Sequence, residues 1–105
     1  MPRLAELHGT FLKRLDDRTH RREVPLSDAD GLLFLCPKCY AENKGAAGTH
    51  SVLCWFAGKV PDHLDPKPGR WNPSGTDLND VTLGPSVLLT GGCGWHGFVR
   101  DGGAD

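Results

Sequence analysis

The sequence predicts a small, mostly β domain with a short N-terminal helix, stapled by bound metal. Three observations predict this fold class. Gly 14 and Pro 8 together make 22 of the 105 residues, which disfavours long helices. Several short apolar runs are bounded by turn residues, as is typical of buried strands. Cysteine and histidine occur in two closely spaced pairs, a pattern typical of metal sites.

The composition excludes several functional classes. A chain of 105 residues is about one domain, and a hydrophobic share of 38% limits the size of its core. We therefore expect disulfides or a bound metal to stabilise the fold. A net charge of −1 disfavours a chain that holds nucleic acid mainly by neutralising phosphates. No apolar run is long enough to span a bilayer or to serve as a signal peptide. We therefore expect a reducing compartment, where thiols more often bind metal than form disulfides.

The segment 1–23 is predicted to be an amphipathic helix followed by a basic connector. Five apolar residues fall on one stripe of a helix over about residues 3–16: Leu4, Leu7, Phe11, Leu12 and Leu15. Such a short helix is marginal in water, so we expect it to dock on the body or on a partner. Residues 1–22 carry six basic and three acidic groups, which favours a solvated face but leaves a nucleic-acid contact open.

The segment 24–105 is predicted to be the zinc-binding β domain. Two continuous apolar runs, 31–35 and 51–56, indicate buried strands. Shorter strands are predicted at 81–83, 87–90 and 98–100. The stretch between them, 59–80, contains four prolines and is predicted to be an ordered surface loop.

Two pairs of ligand residues predict the metal site. Cys36 and Cys39 form a C-x2-C pair directly after an apolar run, and Cys93 and His96 form a C-x2-H pair after a later one. Two intervening residues let a tight turn aim both side chains at one point. Three thiolates and an imidazole favour Zn²⁺ over magnesium or calcium. A closed set of four ligands leaves no position for water, so the predicted role is structural.

The remaining thiol and imidazole leave alternatives open. His50 could replace His96 as the fourth ligand, although a polar residue at the start of a strand is the simpler interpretation. Cys54 lies between Leu53 and Trp55, which favours a buried core cysteine. A thiol protease that pairs Cys54 with His50 has no support over burial.

The other candidate residues carry weaker signals. Trp55, Trp71 and Trp95 are expected to anchor the core and loops, and the sharper hypothesis is an aromatic pocket for a ligand. The serines at 27, 51, 74 and 86 lie in no nucleophile-elbow motif. The Gly-rich stretch at 91–94 lacks the lysine and helix of a phosphate-binding loop. The expectation is therefore a protein that is not an enzyme.

Five segments carry a resemblance to a known family: 31–39, 48–52, 68–71, 82–86 and 92–98. They resemble small zinc-binding proteins of unknown function encoded by tailed bacteriophages and prophages. The two ligand pairs also resemble a zinc ribbon, but 53 residues separate Cys39 from Cys93, whereas ribbons have about 15–20. A β insert must lie between them, a layout similar to the β-tent folds of methionine sulfoxide reductase B and the cereblon ligand-binding domain.

The resemblance implies a phage origin and a metal-binding body, and it brings no catalytic residue. Because the short N-terminal helix must dock on a partner, we expect a phage accessory or virion-associated structural protein that acts through protein–protein contacts, with virion subunits as candidate partners. We expect it in the host cytoplasm or the virion, without membrane contact. Two alternatives stay open. One is a ligand-binding module with the tryptophan pocket, and the other is a nucleic-acid-binding zinc protein that uses the basic N-terminal segment.

Overall fold

The structure is a computed structural model that describes residues 2–67, 69–89 and 92–105. Its centre is an antiparallel sheet of four strands in the order β2-β1-β3-β4. The strands are β1 (Thr10–Arg14), β2 (His20–Arg22), β3 (Gly31–Leu35) and β4 (Ser51–Trp55). This order places β4 at one edge of the sheet.

Short antiparallel pairs of strands complete the fold. They are β5 (Asn72–Ser74) with β6 (Thr82–Gly84), β7 (Val87–Leu88) with β8 (His96–Gly97), and β9 (Val99–Arg100) with β10 (Gly103–Ala104). Helix α1 (Pro37–Asn43) follows β3, and a single 3-10 turn covers Leu26–Asp28. The predicted fold class, mostly β with one short helix, is confirmed. The helix is α1, however, which follows β3 and does not lie at the N-terminus.

The N-terminal segment folds differently from the predicted helix. Thr10–Arg14 forms β1, which pairs with β2 on one side and β3 on the other. Phe11 and Leu12 are both buried, but in different clusters, because the two faces of a strand point to opposite sides. Leu15, the last residue of the predicted stripe, is 58% exposed. Hydrogen bonds to two neighbouring strands outweigh the weak helical preference of this segment.

The predicted strands of the body are confirmed at 31–35 and 51–55, and short strands occur near the other predicted positions. The strand predicted over 87–90 is observed at Val87–Leu88, and Thr90 lies outside the described residues. The two predicted parts of the chain, 1–23 and 24–105, share one sheet, because Phe11 of β1 pairs with Leu32 of β3. Among the described residues, no helix is long and apolar enough to cross a membrane.

The core consists of two apolar clusters on opposite faces of the central sheet. The larger one joins leucines of the N-terminal segment to β3, β4 and the C-terminal strands. The smaller one contains Leu12, Trp55 and Leu64, so it ties the proline-containing loop to the sheet. Arg70 holds that loop in shape, because its guanidinium donates to the carbonyl oxygens of Pro61, Leu64 and Pro66 at 2.8–3.0 Å.

Candidate functional site

A cleft of about 710 Å³ lies between β4 and the residues that lead into and follow β7. One wall is Ser51, Val52 and Leu53 of β4, and the other is the segment 85–89. The lining is mainly apolar and includes the indole ring of Trp71. A concave, mostly apolar surface with a few polar groups is the usual form of a ligand or substrate site.

Ser86 lines one wall of this cleft and contacts His96, which lies behind that wall and outside the lining. His96 begins β8 and lies directly opposite Leu88 of β7. Because side chains alternate along a strand, Ser86, two residues before Leu88, lies on the same face as His96. The Oγ of Ser86 is 3.2 Å from the Nε2 of His96. This distance lets a histidine accept the proton of a serine hydroxyl.

The main chain at Ser86 is held from two directions. The indole Nε1 of Trp71 donates a hydrogen bond to the carbonyl oxygen of Ser86 at 3.2 Å. The next residue, Val87, is buried in the main core and pairs with Gly97 of β8. In the part of the chain that the structure describes, no carboxylate hydrogen-bonds to His96, so the arrangement is a serine–histidine pair.

A second group of polar side chains lies near one end of the cleft. The ligand atoms of Cys36, Cys39, His50 and Cys93 all lie within 4.8 Å of one another and could hold a metal ion. Cys36 is the N-cap residue of α1, and Cys39 lies in its first turn. His50 immediately precedes β4, and Cys93 lies in the turn between β7 and β8. The group therefore connects three separate segments.

The thiols of this group differ in acidity. The imidazole of His50, 3.4 Å from the Cys93 sulfur, is the main cause that lowers the pKa of Cys93 from 9.0 to about 6. Desolvation, followed by hydrogen bonds with the sulfurs of Cys93 and Cys36, raises the pKa of Cys39 to about 11. The cluster thus contains one sulfur that readily becomes a thiolate, which is the form that binds metal.

The structure brings together three of the four predicted metal ligands, Cys36, Cys39 and Cys93. His50 stands with them, and His96, the fourth residue predicted from the sequence, pairs with Ser86 instead. The antiparallel register explains this arrangement. Leu35 pairs with Ser51, so His50 lies beside Cys36, whose N–H donates to the His50 carbonyl oxygen at 2.9 Å. The sequence signal that could have identified His50 as a ligand was its position directly before the predicted strand 51–56.

The three tryptophans do not form a common pocket. Trp71 lines the cleft, whereas Trp55 is buried with Leu12 and Leu64. Trp95 is buried in the main core, where its ring meets the ring of Phe34 edge to face at 6.0 Å between centroids. The predicted roles as core and loop anchors fit these positions, and the aromatic-pocket hypothesis has no geometric support.

Comparison with known proteins identifies one family. The model of the family described as "Bacterial ubiquitination-like system serine protease (BubE)" matches residues 11–105. Neither the search of curated proteins nor that of solved structures gave a match.

This match overturns four expectations of the sequence analysis. The matched family is not a phage family of unknown function, so the expected bacteriophage origin and the classification as a viral protein are wrong. The expected virion-associated structural role is wrong, and its ligand-binding and nucleic-acid-binding alternatives are not supported. The expectation that the protein is not an enzyme is also wrong, because the family is one of serine proteases. A ubiquitination-like system implies protein partners, so that part of the expectation holds.

The sequence analysis did not foresee the contact between Ser86 and His96, for a physical reason. Serine proteases of unrelated folds share a geometry and not a sequence spacing, so a serine outside a known motif carries no signal of its own. The segment Gly84-Pro85-Ser86 precedes β7 without a strand-to-helix elbow. Only the pairing of β7 with β8 places Ser86 beside His96.

Proposed function

Since the chain belongs to the family of bacterial ubiquitination-like system serine proteases (BubE), we propose that Ser86 is its nucleophile and His96 its general base. One observation carries the assignment: the 3.2 Å contact between Ser86 Oγ and His96 Nε2 at the wall of the cleft. Ser51 also lines the cleft, but no hydrogen bond joins its hydroxyl to an imidazole among the described residues.

The chemistry follows from the two side chains. A neutral imidazole protonated on Nδ1 leaves Nε2 free to accept the hydroxyl proton as the oxygen attacks a peptide carbonyl. The resulting imidazolium then gives this proton to the leaving amine, and water releases the acyl group by the reverse sequence. The hydrogen bond from Trp71 to the Ser86 carbonyl oxygen limits rotation of the serine main chain during these steps.

A fluorophosphonate probe tests the nucleophile without knowledge of the substrate, because it phosphonylates activated serine hydroxyls. We expect stoichiometric labelling of the protein, with the label mapped to Ser86 by mass spectrometry. Ser86→Ala should abolish labelling, whereas Ser51→Ala, the matched change in the same cleft, should retain it. His96→Gln should slow labelling by about 100-fold or more, since general-base catalysis contributes about that much. His20→Gln, a change at an exposed histidine of β2, is its control.

Label on another residue, or a His96→Gln variant that reacts at the wild-type rate, would remove the basis for this assignment. Folding of each variant is checked by circular dichroism, so that loss of labelling reports the missing group.

The cluster of Cys36, Cys39, His50 and Cys93 supports a second proposal, a structural Zn²⁺ site. Three thiolates and one imidazole are a typical closed ligand set for zinc. Bound there, the ion would neutralise the thiolates and join the start of α1, the residue before β4 and the β7–β8 turn. The hairpin that carries Ser86 and His96 would then be fixed to the central sheet.

Metal analysis of the protein purified under reducing conditions tests this site. We expect one zinc per chain, with zinc lost in Cys39→Ser and His50→Ala but retained in Cys54→Ser, where the thiol is buried away from the cluster. His96→Gln should slow fluorophosphonate labelling and keep its zinc. A variant of His96 that loses zinc, with zinc kept in His50→Ala, would instead support the ligand set predicted from the sequence.

A further inference from the structure

Strand β4 has one open edge that faces the cleft. It pairs with β3 along its whole length, and it is the last strand of the sheet. Within the described parts of the chain, a further segment meets this edge only at the end of the strand, through a parallel bridge between Phe56 and Trp71. The earlier part of the strand, at Ser51 and Leu53, lines the cleft.

The direction of the main-chain groups follows from three hydrogen bonds. The carbonyl oxygen of His50 accepts from Cys36, and the N–H of Phe56 donates to Asp30, so even-numbered residues here face β3. The carbonyl oxygen of Trp55 accepts from the N–H of Trp71 on the opposite side. Because these directions alternate along a strand, the N–H and C=O groups of Ser51 and Leu53 point away from β3. The Ser51 carbonyl oxygen lies 3.3 Å from Nδ1 of His50 and can accept a second hydrogen bond through its other lone pair.

The opposite wall presents a complementary surface. The N–H of Leu89 donates to the carbonyl oxygen of Trp95, so the main-chain groups of Leu88 point away from β8. The Leu88 side chain is 56% exposed and lies on the face that carries Ser86 and His96. An exposed large apolar side chain beside a nucleophile is well placed to contact a substrate.

Resting on the proposed function, we infer that the protein substrate enters as an extended segment that adds one strand to β4 at Ser51 and Leu53. The segment thereby presents its scissile peptide bond to Ser86 across the cleft. A strand added to an exposed edge gains affinity from main-chain hydrogen bonds and specificity from alternate side chains. One segment of the chain already pairs with this edge, since the main chain of Trp71 hydrogen-bonds to the end of β4.

The charges of the cleft indicate which segments fit. Lys67 and Arg70 line it, and none of its described lining residues is acidic. The guanidinium of Arg70 is engaged by carbonyl oxygens of its own loop, whereas the ammonium group of Lys67 lies on an exposed side chain. The preferred segment is therefore neutral or acidic, with an apolar residue that reaches Leu88, and basic segments are disfavoured.

A peptide library tests the charge preference. Chymotryptic digests of a bacterial proteome, whose peptides keep their internal acidic and basic residues, are incubated with the wild-type protein and with Ser86→Ala, and new termini are identified by mass spectrometry. We expect cleavage that depends on Ser86, at sites enriched in Asp and Glu and depleted of Lys and Arg. Lys67→Glu should reverse that charge preference, and Lys59→Glu, which changes an exposed lysine outside the cleft lining, should leave it unchanged.

The added strand is tested on the best-cleaved peptide, resynthesised with one N-methylated amide at a time. Only every second amide of an edge strand points toward its partner. At positions two or more residues from the scissile bond, we therefore expect kcat/KM to fall about tenfold or more at every second residue, with little change between. Leu88→Ser should raise KM severalfold, and the matched change at an exposed leucine, Leu15→Ser, should not.

The outcomes separate the two proposals. Cleavage that depends on Ser86 and shows the alternating pattern supports both. Cleavage that depends on Ser86 with a uniform or irregular response to N-methylation overturns the added strand and leaves the nucleophile intact. A library with no Ser86-dependent cleavage overturns the proposed function and the added strand together.

Discussion

Trp71 donates its indole N–H to the carbonyl oxygen of Ser86, at 3.2 Å, across 15 residues of chain. The main chain of Trp71 is also tied to the end of β4, since its N–H donates to Trp55 and its carbonyl oxygen accepts from Ala57. One residue therefore joins the serine of the candidate site to the sheet that forms the facing wall. The cluster of Cys36, Cys39, His50 and Cys93, which could hold a metal ion, also brings the residue before β4 close to the β7–β8 turn.

Trp71→Phe should lower the rate of Ser86 labelling while leaving the fold intact. The substitution keeps an aromatic ring against the core but removes the donor to the Ser86 carbonyl oxygen. A lost neutral hydrogen bond is worth about 1 kcal/mol, or roughly fivefold in rate if it acts on the reactive geometry. The measurement is the rate of fluorophosphonate labelling, with the melting temperature recorded in parallel.

Trp55→Phe is the matched control, because its indole N–H donates to the carbonyl oxygen of Asp65 at 2.8 Å, in the loop and away from Ser86. It should lower the melting temperature with little change in labelling rate. Equal effects of the two variants on labelling would show that Trp71 acts through stability alone.

Removal of the proposed Zn²⁺ should loosen the β7–β8 hairpin before it affects the central sheet. The hairpin has two residues in each strand and is connected to α1 and β4 through the cluster at Cys93. With a strong chelator, we expect faster amide hydrogen exchange in 87–89 and 95–97 than in β1 and β3, together with loss of Ser86 labelling. Re-addition of zinc should restore both. A uniform rise in exchange across the sheet would show that the metal supports the whole domain and not this hairpin in particular.

The stability of the fold should fall with rising pH because of Cys54. Burial raises the pKa of this thiol from 9.0 to about 12. Below pH 9.0 the thiol is protonated in both states, and between pH 9.0 and about 12 only the unfolded chain loses the proton. The free energy of unfolding should therefore fall in that window, by at most about 1.4 kcal/mol per pH unit from this group.

Urea denaturation of the wild type and of Cys54→Ala at about pH 8 and about pH 10.5 measures this contribution. The variant should be less stable at the lower pH, because the buried sulfur is lost, and its free energy of unfolding should fall less as the pH rises. Parallel pH dependences of the two proteins would contradict the assignment to Cys54.

Gly31→Ala should destabilise the protein, whereas Gly84→Ala should not. An added Cβ at Gly31 would lie 2.7 Å from Cε3 of Trp55, whose ring packs over this position of β3. Overpacking of this kind costs about 1–3 kcal/mol, which corresponds to a fall of at least about 4 °C in melting temperature for a domain of this size. A Cβ at Gly84 meets nothing within 4 Å. Thermal denaturation compares the two variants, and equal melting temperatures would refute the close contact.

Apolar sequence patterns were sufficient to predict a strand where the local preference of the residues agrees with their pairing in the tertiary structure. The apolar run Gly31–Leu35 is a strand because its residues are buried between two neighbouring strands, and the run itself predicts this. The stripe of Leu4, Leu7 and Phe11 marked buried residues correctly but was assigned the wrong element. A stripe of apolar residues reports burial, and the pairing of strands decides whether it belongs to a helix or a sheet.

The sequence by itself determined that the protein is mostly β, that Cys36, Cys39 and Cys93 belong together, and that Cys54 lies in the core. Each of these follows from the character of a residue and its immediate neighbours. Only the tertiary structure decided that His50 joins the three cysteines and that His96 pairs with Ser86. Those partners are set by the register between β3 and β4 and between β7 and β8, and register depends on strands that are distant in the chain.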